Sequence, residues 1–363
     1  MHERITLVPR TVAVGLLAGL LYWLPTSTPH AQIFIGSTSV LGTSFQGQAA
    51  AVSGIAAGSA VSVANTGSLS VIGGAQEASA MGSSVAGGIS VGICHTAIIG
   101  EENVTSSEAA VANVSFTGNS SISFFLAPTT ITADFIMSQA TAACAATALT
   151  VSGQVQISGL VINGQAVAVT GAADQIVLLA DGGCVIINEQ LATTSSITVN
   201  GLHVIDAFAG VDVVFASATA GISCGSSGVV TSPPAPCDFI TGGGWITGTP
   251  SSAKANFGVA GGIKNGAFWG HLNYIDHENG MHAKATAVTG YAVDPNDADC
   301  RIIDYAVTIN DAPGTARVRV CDKGEPGRND IFEIQLSNGY FAGGDLGGSR
   351  PGGGNIQLHD CQE

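Results

Sequence analysis

The chain has 363 residues and a formal net charge of −15 at neutral pH, yet only 10% of its residues are charged and 46% are hydrophobic. With a sequence pI near 4.7 it lacks the basic surface that phosphate contacts need, which excludes nucleic-acid binding, and it is equally unsuited to anionic lipid. The mean hydropathy of +0.39 comes from Ala and Val spread along the chain, and no membrane-length apolar run follows the N-terminal leader. The length allows two domains, each with its own core.

Residues 1–32 read as an export signal: Arg4 and Arg10 precede an apolar core from Thr11 to Leu24, Pro25 ends it, and Ala31 is a suitable residue before a cut. The apolar core is short for a bilayer span; an uncleaved N-terminal anchor is the alternative. Between this leader and Lys254 there is no Lys or Arg. A polar stretch from Cys224 to Cys237, rich in Gly, Ser and Pro, reads as a connector. The expected organisation is therefore a signal peptide (1–32), a β domain (33–224), a linker (225–236) and a second β domain (237–363).

Period-two patterning marks strands in the first half, including Val61–Ala64, Ala112–Phe116, Ser121–Phe125, Leu149–Ser152 and Gln154–Ile157. Turn residues recur about every ten positions, as in an antiparallel sandwich. Asn163-Gly164 and Asn200-Gly201 each carry a type I′ hairpin signal, because both residue types tolerate positive φ. After the connector, Arg301–Ile309, Ala316–Cys321, Ile331–Leu336 and Asn355–His359 continue the strand pattern. The expected fold is all-β: two antiparallel, sandwich-like, disulfide-bonded domains behind a signal peptide.

Eight cysteines divide evenly, with Cys94, Cys144, Cys184 and Cys224 before the connector and Cys237, Cys300, Cys321 and Cys361 after it. They read as structural disulfides of an oxidising compartment; buried free thiols or a metal site are the alternative, and no C-x-x-C pair favours zinc. Cys300 and Cys321 bracket a stretch that folds back at Asp311–Gly314 and are expected to pair. Cys237 then pairs with Cys361, and Cys144–Cys184 with Cys94–Cys224 is one of three pairings open to the first domain.

The ordered blocks Val161–Val169, Val185–Gln190, Ser196–His203 and Val211–Ile222 resemble the choice-of-anchor P domain over about residues 40–224. Phe239-Ile-Thr-Gly-Gly-Gly-Trp-Ile246, Gly270–His277, Asp322–Gly327, Leu336–Tyr340 and Gly353–His359 resemble the domain that commonly follows it, over about 238–359. The resemblance implies an exported bacterial surface module, with no catalytic residue to carry over. The four cysteines of the second half depart from that pattern, and the tail Asp360–Glu363 is no sorting signal.

Candidate chemistry is sparse. Gly221-Ile-Ser-Cys-Gly225 fits G-x-S-x-G but runs into the connector without the helix of a nucleophile elbow. His271, Asp276, His277, Glu278 and His282 form the densest titratable group, divided by an expected turn at Asp276–Gly280. Asp294–Asp299 and Asp322–Asp330 are oxygen-rich loops of the kind that bind calcium, diluted by Lys323 and Arg328. The expectation is a secreted or cell-surface bacterial structural or interaction protein. It has no catalytic, cofactor or metal site, an unidentified extracellular partner with self-association among the candidates, and no membrane span in the mature chain. A calcium-dependent adhesin or glycan-binding module is the alternative, and an extracellular hydrolase the second. The first domain, carrying ten acids and no Lys or Arg, is further expected to self-associate when isolated and brought below about pH 4.

Overall fold

The computed structural model describes residues 43–118, 128–145, 148–180, 182–207, 209–225, 238–264, 266–325, 327–348 and 353–360. The expected signal peptide, nearly all of the connector and the Cys237–Cys361 pair lie outside these residues. Those described belong to one compact unit, Leu41–Glu363. No described helix is long and apolar enough to cross a membrane.

In chain order the strands are β1 (Ser44–Ala56), β2 (Ser59–Asn65), β3 (Gly74–Val85), β4 (Ile89–Glu101), β5 (Val104–Thr117), β6 (Thr130–Cys144) and β7 (Leu149–Ser158). Then come β8 (Val161–Ile162), β9 (Gln165–Ala166), β10 (Gln175–Leu178), β11 (Cys184–Ala192), β12 (Ser196–Asp206) and β13 (Val211–Ser223). Past the connector are β14 (Asp238–Ile246), β15 (Ala255–Lys264), β16 (Ala267–Asp276), β17 (Met281–Asp294) and β18 (Asp297–Ile309). The last are β19 (Ala312–Cys321), β20 (Ile331–Leu336), β21 (Phe341–Asp345) and β22 (Gly354–Asp360). The protein is all-β, as the alternating sequence predicts.

Three antiparallel sheets result. Sheet I has the order β10-β11-β12-β13-β1-β2 and sheet II β3-β4-β5-β6-β8-β9, with β7 also on β6. Together they make a sandwich around Val52, Val111, Phe116, Ile136, Leu202 and Phe215. Hydroxyls on the inner side of sheet II pin the layers: Thr105 donates to Gly221 O (2.9 Å), Ser138 to Ala216 O (2.7 Å) and Ser107 to Gln48 O (3.1 Å). Sheet III, β21 through β14 and then β22, is formed wholly after the connector. It curls until Gly343 N donates to Gly248 O (2.8 Å), around a core of Phe257, Tyr274, Tyr305 and Phe332.

Sheet II is covered on both faces. Successive residues of a strand point to opposite sides, so Ala109 and Val111 enter the sandwich core while Ala110 and Ala112 pack with Trp245 and Ile275 of sheet III. On β6, Ile136 faces sheet I, and Phe135 and Met137 face sheet III.

The two hairpin signals part ways. Asn163 and Gly164 have φ of 51° and 75° and form the turn between β8 and β9. Asn200-Gly201, in contrast, lies inside β12. A Cβ on Gly201 would come 2.5 Å from Ile136 Cγ2, so the glycine serves close packing of sheet I on sheet II. Its neighbours Asn188 and Ala216 take φ of 54° and 57°, a kink crossing three strands. The β18–β19 hairpin also turns two residues earlier than expected, at Asn310-Asp311 with φ of 45° and 66°.

Cys300 lies directly opposite Cys321 and is bonded to it. The pairing expected in the first half is corrected. Cys144 bonds Cys224, tying the end of β6 to the end of β13, whereas Cys94 and Cys184 are free. Cys94 points into the sandwich core, where burial pushes its thiol up to about 12.

Candidate functional site

Sheet III rests on sheet II through glycines. A Cβ on Gly258 (β15) would lie 3.0 Å from His95 Cβ, and one on Gly243 (β14) 3.3 Å from Ala110 Cβ. Gly243 of β14 and Gly258 of β15 thus let the two sheets approach where side chains would hold them apart, while Gly242 and Gly244 crowd against Gly353–Ile356. Around this seam lie Ile93, Phe135, Met137, Trp245 and Ile275, and beside them Ile99, Phe239 and Trp269.

Into this apolar seam the fold places four titratable side chains in a row. Glu77 Oε2 (β3) is 2.5 Å from His271 Nδ1 (β16). His271 Nε2 is 3.0 Å from His95 Nδ1 (β4). His95 Nε2 is 3.2 Å from Glu108 Oε1 (β5); these two atoms and His271 Nδ1 are buried without an aligned hydrogen bond among the described residues, so the two outer links of the row are close contacts. Gln139 (β6) donates to Glu108 Oε2 at 3.3 Å and accepts from Gln154 (β7). Gln154 reaches Glu325 Oε2 (3.2 Å), whose other oxygen accepts from Asn355 (3.0 Å). One polar line therefore crosses from sheet II to sheet III twice.

Burial governs its electrostatics, because removing water penalises the charged form. It pushes His95 down to about 3, reinforced by the neighbouring His271 and opposed by Glu77. It pushes Glu108 up to about 8 despite the Gln139 hydrogen bond. Burial also acts to raise Glu77, but the hydrogen bond and charge of His271, with His95, outweigh it and hold Glu77 below the usual carboxylate range. Glu325 is raised by burial. At neutral pH His95 is thus an uncharged imidazole and Glu108 a carboxylic acid.

Beside Glu325 opens a cavity of about 250 Å³ lined by Ser106, Ser107, Gln139, Gln154, Glu325 and Gln357, among others. Its hydroxyl and carboxamide lining suits ordered water. Further contacts flank the row. Asn113 donates to Asn256 (3.2 Å) and lies 2.8 Å from His277 Nε2. Lys254 Nζ is 3.4 Å from Asp134 and 5.2 Å over the Trp245 ring. Lys264 donates to Ala75 O (2.7 Å) and sits 5.6 Å over Trp269.

The titratable group read from the sequence is dispersed by this architecture. His271 joins the buried row and His277 the Asn113–Asn256 contact. Asp276 turns into the sheet III core and accepts from Tyr340 (2.8 Å), which is 2.7 Å from Tyr274. Glu278 and His282 are exposed. In the oxygen-rich loops the cations are the protein's own. Lys323 Nζ donates to both oxygens of Asp297 (2.7 Å each) and to Asp299 (3.1 Å), and Arg319 to Asp294 (2.6 Å). Asp330 is fully buried, accepts from Lys323 N and Ile356 N, and is pushed up to about 7 by burial. Asp297 also lies near Cys300 and Cys321, but those sulfurs are bonded to each other and offer no thiolate.

Ser223 of the G-x-S-x-G match ends β13, and the following Cys224 is in a disulfide. His203 stands on the outer face of sheet I with both ring nitrogens facing carboxylates, Glu189 at 2.9 Å and Asp212 at 2.8 Å. Sequence reasoning missed Glu77, His95 and Glu108. A signal was present, since Glu77 and Glu108 are each the sole titratable residue of an otherwise uncharged strand. The partner of Glu77, His271, however, lies 194 residues away (271 − 77). Comparison with protein-family models, curated proteins and solved structures finds no match to this chain.

Proposed function

We propose that the chain is a non-catalytic structural or interaction protein, exported to a bacterial surface or extracellular matrix, the role implied by its resemblance to choice-of-anchor P modules. One observation carries the reading: among the described residues most chemistry-bearing groups, the exposed Glu278 and His282 apart, are engaged in contacts within the chain, while an apolar strand edge is turned outward. The row lies in the seam with its Glu108 end buried, and Arg319 and Lys323 pair with the acidic loops. By contrast β10, at the edge of sheet I, exposes Ile176 (59%) and Leu178 (81%). Cys184 and Ile186 face them across the ladder, both half-buried. An open edge with apolar side chains is a surface on which another chain can pair.

The test is retention of the chain by washed cells or matrix, comparing the parent with an Ile176→Asp, Leu178→Asp double variant. Loss of retention with unchanged secretion and circular dichroism supports the reading. Turnover of an ester, peptide or glycoside substrate by the purified chain, abolished in Ser223→Ala or His203→Ala, overturns it.

A further inference from the structure

With both imidazoles uncharged and the two outer contacts rotated into line, the row Glu77–His271–His95–Glu108 can be hydrogen-bonded throughout in only two ways, and both hold three protons. In one, the Glu108 acid O–H donates to His95 Nε2, His95 Nδ1–H to His271 Nε2, and His271 Nδ1–H to the Glu77 carboxylate. In the other every proton has moved one link, leaving Glu77 the acid and Glu108 the carboxylate. Glu108 is 4% exposed, whereas the Glu77 side chain is 23% exposed, so the first arrangement keeps the charge at the wetter end.

Remove one proton and no arrangement satisfies all three links. Two lone pairs then face each other across one link of a buried seam, where an unpaired acceptor is costly. The facing groups offer no substitute. Gln139 on β6 already donates to Glu108, and β14 and β15 present Gly243 and Gly258. Tyr305 on β18 donates to Ala260 O, and Glu325 beyond Gln154 is another acid. The cation nearby, Lys264 on β15, donates to Ala75 O on the Glu77 strand and sits over Trp269. An added proton is tolerated better, since it goes to the Glu77 end.

We propose that the joint between sheets II and III is a proton-counting latch, closed while this row holds three protons and loosened when alkaline pH removes one. The Glu108 acid, raised to about 8 by burial, supplies the first proton lost. The latch thus stays shut through mild acid and neutrality and opens on the alkaline side, in the opposite sense to a histidine switch that opens as its imidazole charges.

The tryptophans report on it. Trp245 and Trp269 both lie in the seam, so the full chain carrying Trp23→Phe emits only from there. Between about pH 6 and pH 9.5 its emission is expected to shift red with a midpoint near 8, to revert on acidification, and to leave far-UV circular dichroism unchanged. In Glu108→Gln the shift is expected to vanish, because an amide N–H donates to His95 at every pH while its carbonyl still accepts from Gln139. A parent chain whose emission holds to pH 9.5, or a Glu108→Gln chain shifting with the parent's midpoint, overturns the proposal. Should that variant not fold, the parent labelled with ¹³C-glutamate decides. An infrared band of protonated glutamic acid must be present at pH 6.5 and disappear with a midpoint near 8, and its absence at pH 6.5 overturns the proposal equally.

Discussion

Global stability should peak in mild acid. Four buried groups set the expected curve, and they oppose each other in pairs. His95 and His359 are pushed down to about 3 and about 4 from an ordinary 6.5. The unfolded chain therefore takes up their protons first, and stability falls as pH drops below 6.5. Glu108 and Asp330 are pushed up to about 8 and about 7 from 4.5 and 3.8. The folded chain keeps their protons longer, and stability falls as pH rises above the ordinary carboxylate range. Between about 4.5 and 6.5 the two histidines and the two acids cancel, which predicts a plateau. From 6.5 to 8 only the acids act: one and a half pH units for Glu108 and half a unit for Asp330, together about 3 kcal/mol at 1.36 kcal/mol per unit. Below 4.5 the histidines prevail, and the depressed Glu77, Asp294, Asp297 and Asp304 carboxylates add to the loss. Urea titrations followed by circular dichroism at pH 5, 6, 7 and 8 measure this directly. A free energy of unfolding that rises from pH 6.5 to pH 8 would refute the reasoning.

Gly258→Val should lower stability by about 1–3 kcal/mol, seen as a lower melting temperature, because even a Cβ there lies 3.0 Å from His95 Cβ. Cys144→Ser opens a bridge spanning 80 residues and should cost about 4–5 kcal/mol in the chain-entropy model; a native maleimide should label half-buried Cys184, and Cys94 only in denaturant. Millimolar calcium should leave the melting temperature of the parent unchanged, since Lys323 and Arg319 already occupy the acidic loops. Residues 33–224 expressed alone should scatter light at neutral pH as well as in acid, because without sheet III the apolar Ile93, Phe135 and Met137 are uncovered.

Strand periodicity and hairpin chemistry were legible wherever a local cause acts alone. Asn163-Gly164 turns because nothing crowds it, and Cys300 meets Cys321 because a hairpin must bring them opposite. Where packing between sheets intervenes, the same local signals mislead. Asn200-Gly201 has an equal claim to a turn, yet Ile136 presses against that position from the facing sheet. Likewise the Cys144–Cys224 bond depends on β6 and β13 facing each other across the sandwich, a relation between sheets that spacing along the chain does not encode.

The site shows a sharper form of the same limit. Clustering in sequence drew attention to His271, His277 and His282, but a strand disperses neighbours to opposite faces, and only His271 enters the buried row. The informative residues were solitary. A lone glutamate among Ala, Ser and Val in β5 is expensive to bury ionised, so it either reaches water or finds a partner that lets it stay neutral. Glu108 does the second, and its partner, His95, is itself kept uncharged by the same burial. Two groups that would each destabilise a dry seam as ions become, when both are neutral, donor and acceptor to one another. The glycines of β14 and β15 complete the arrangement by bringing the backbones close enough for His271 to reach across. Charge scarcity in the first half and glycine richness in the second thus serve the same joint. Burial there holds a carboxylic acid at neutral pH, and the close approach brings four titratable side chains into a row.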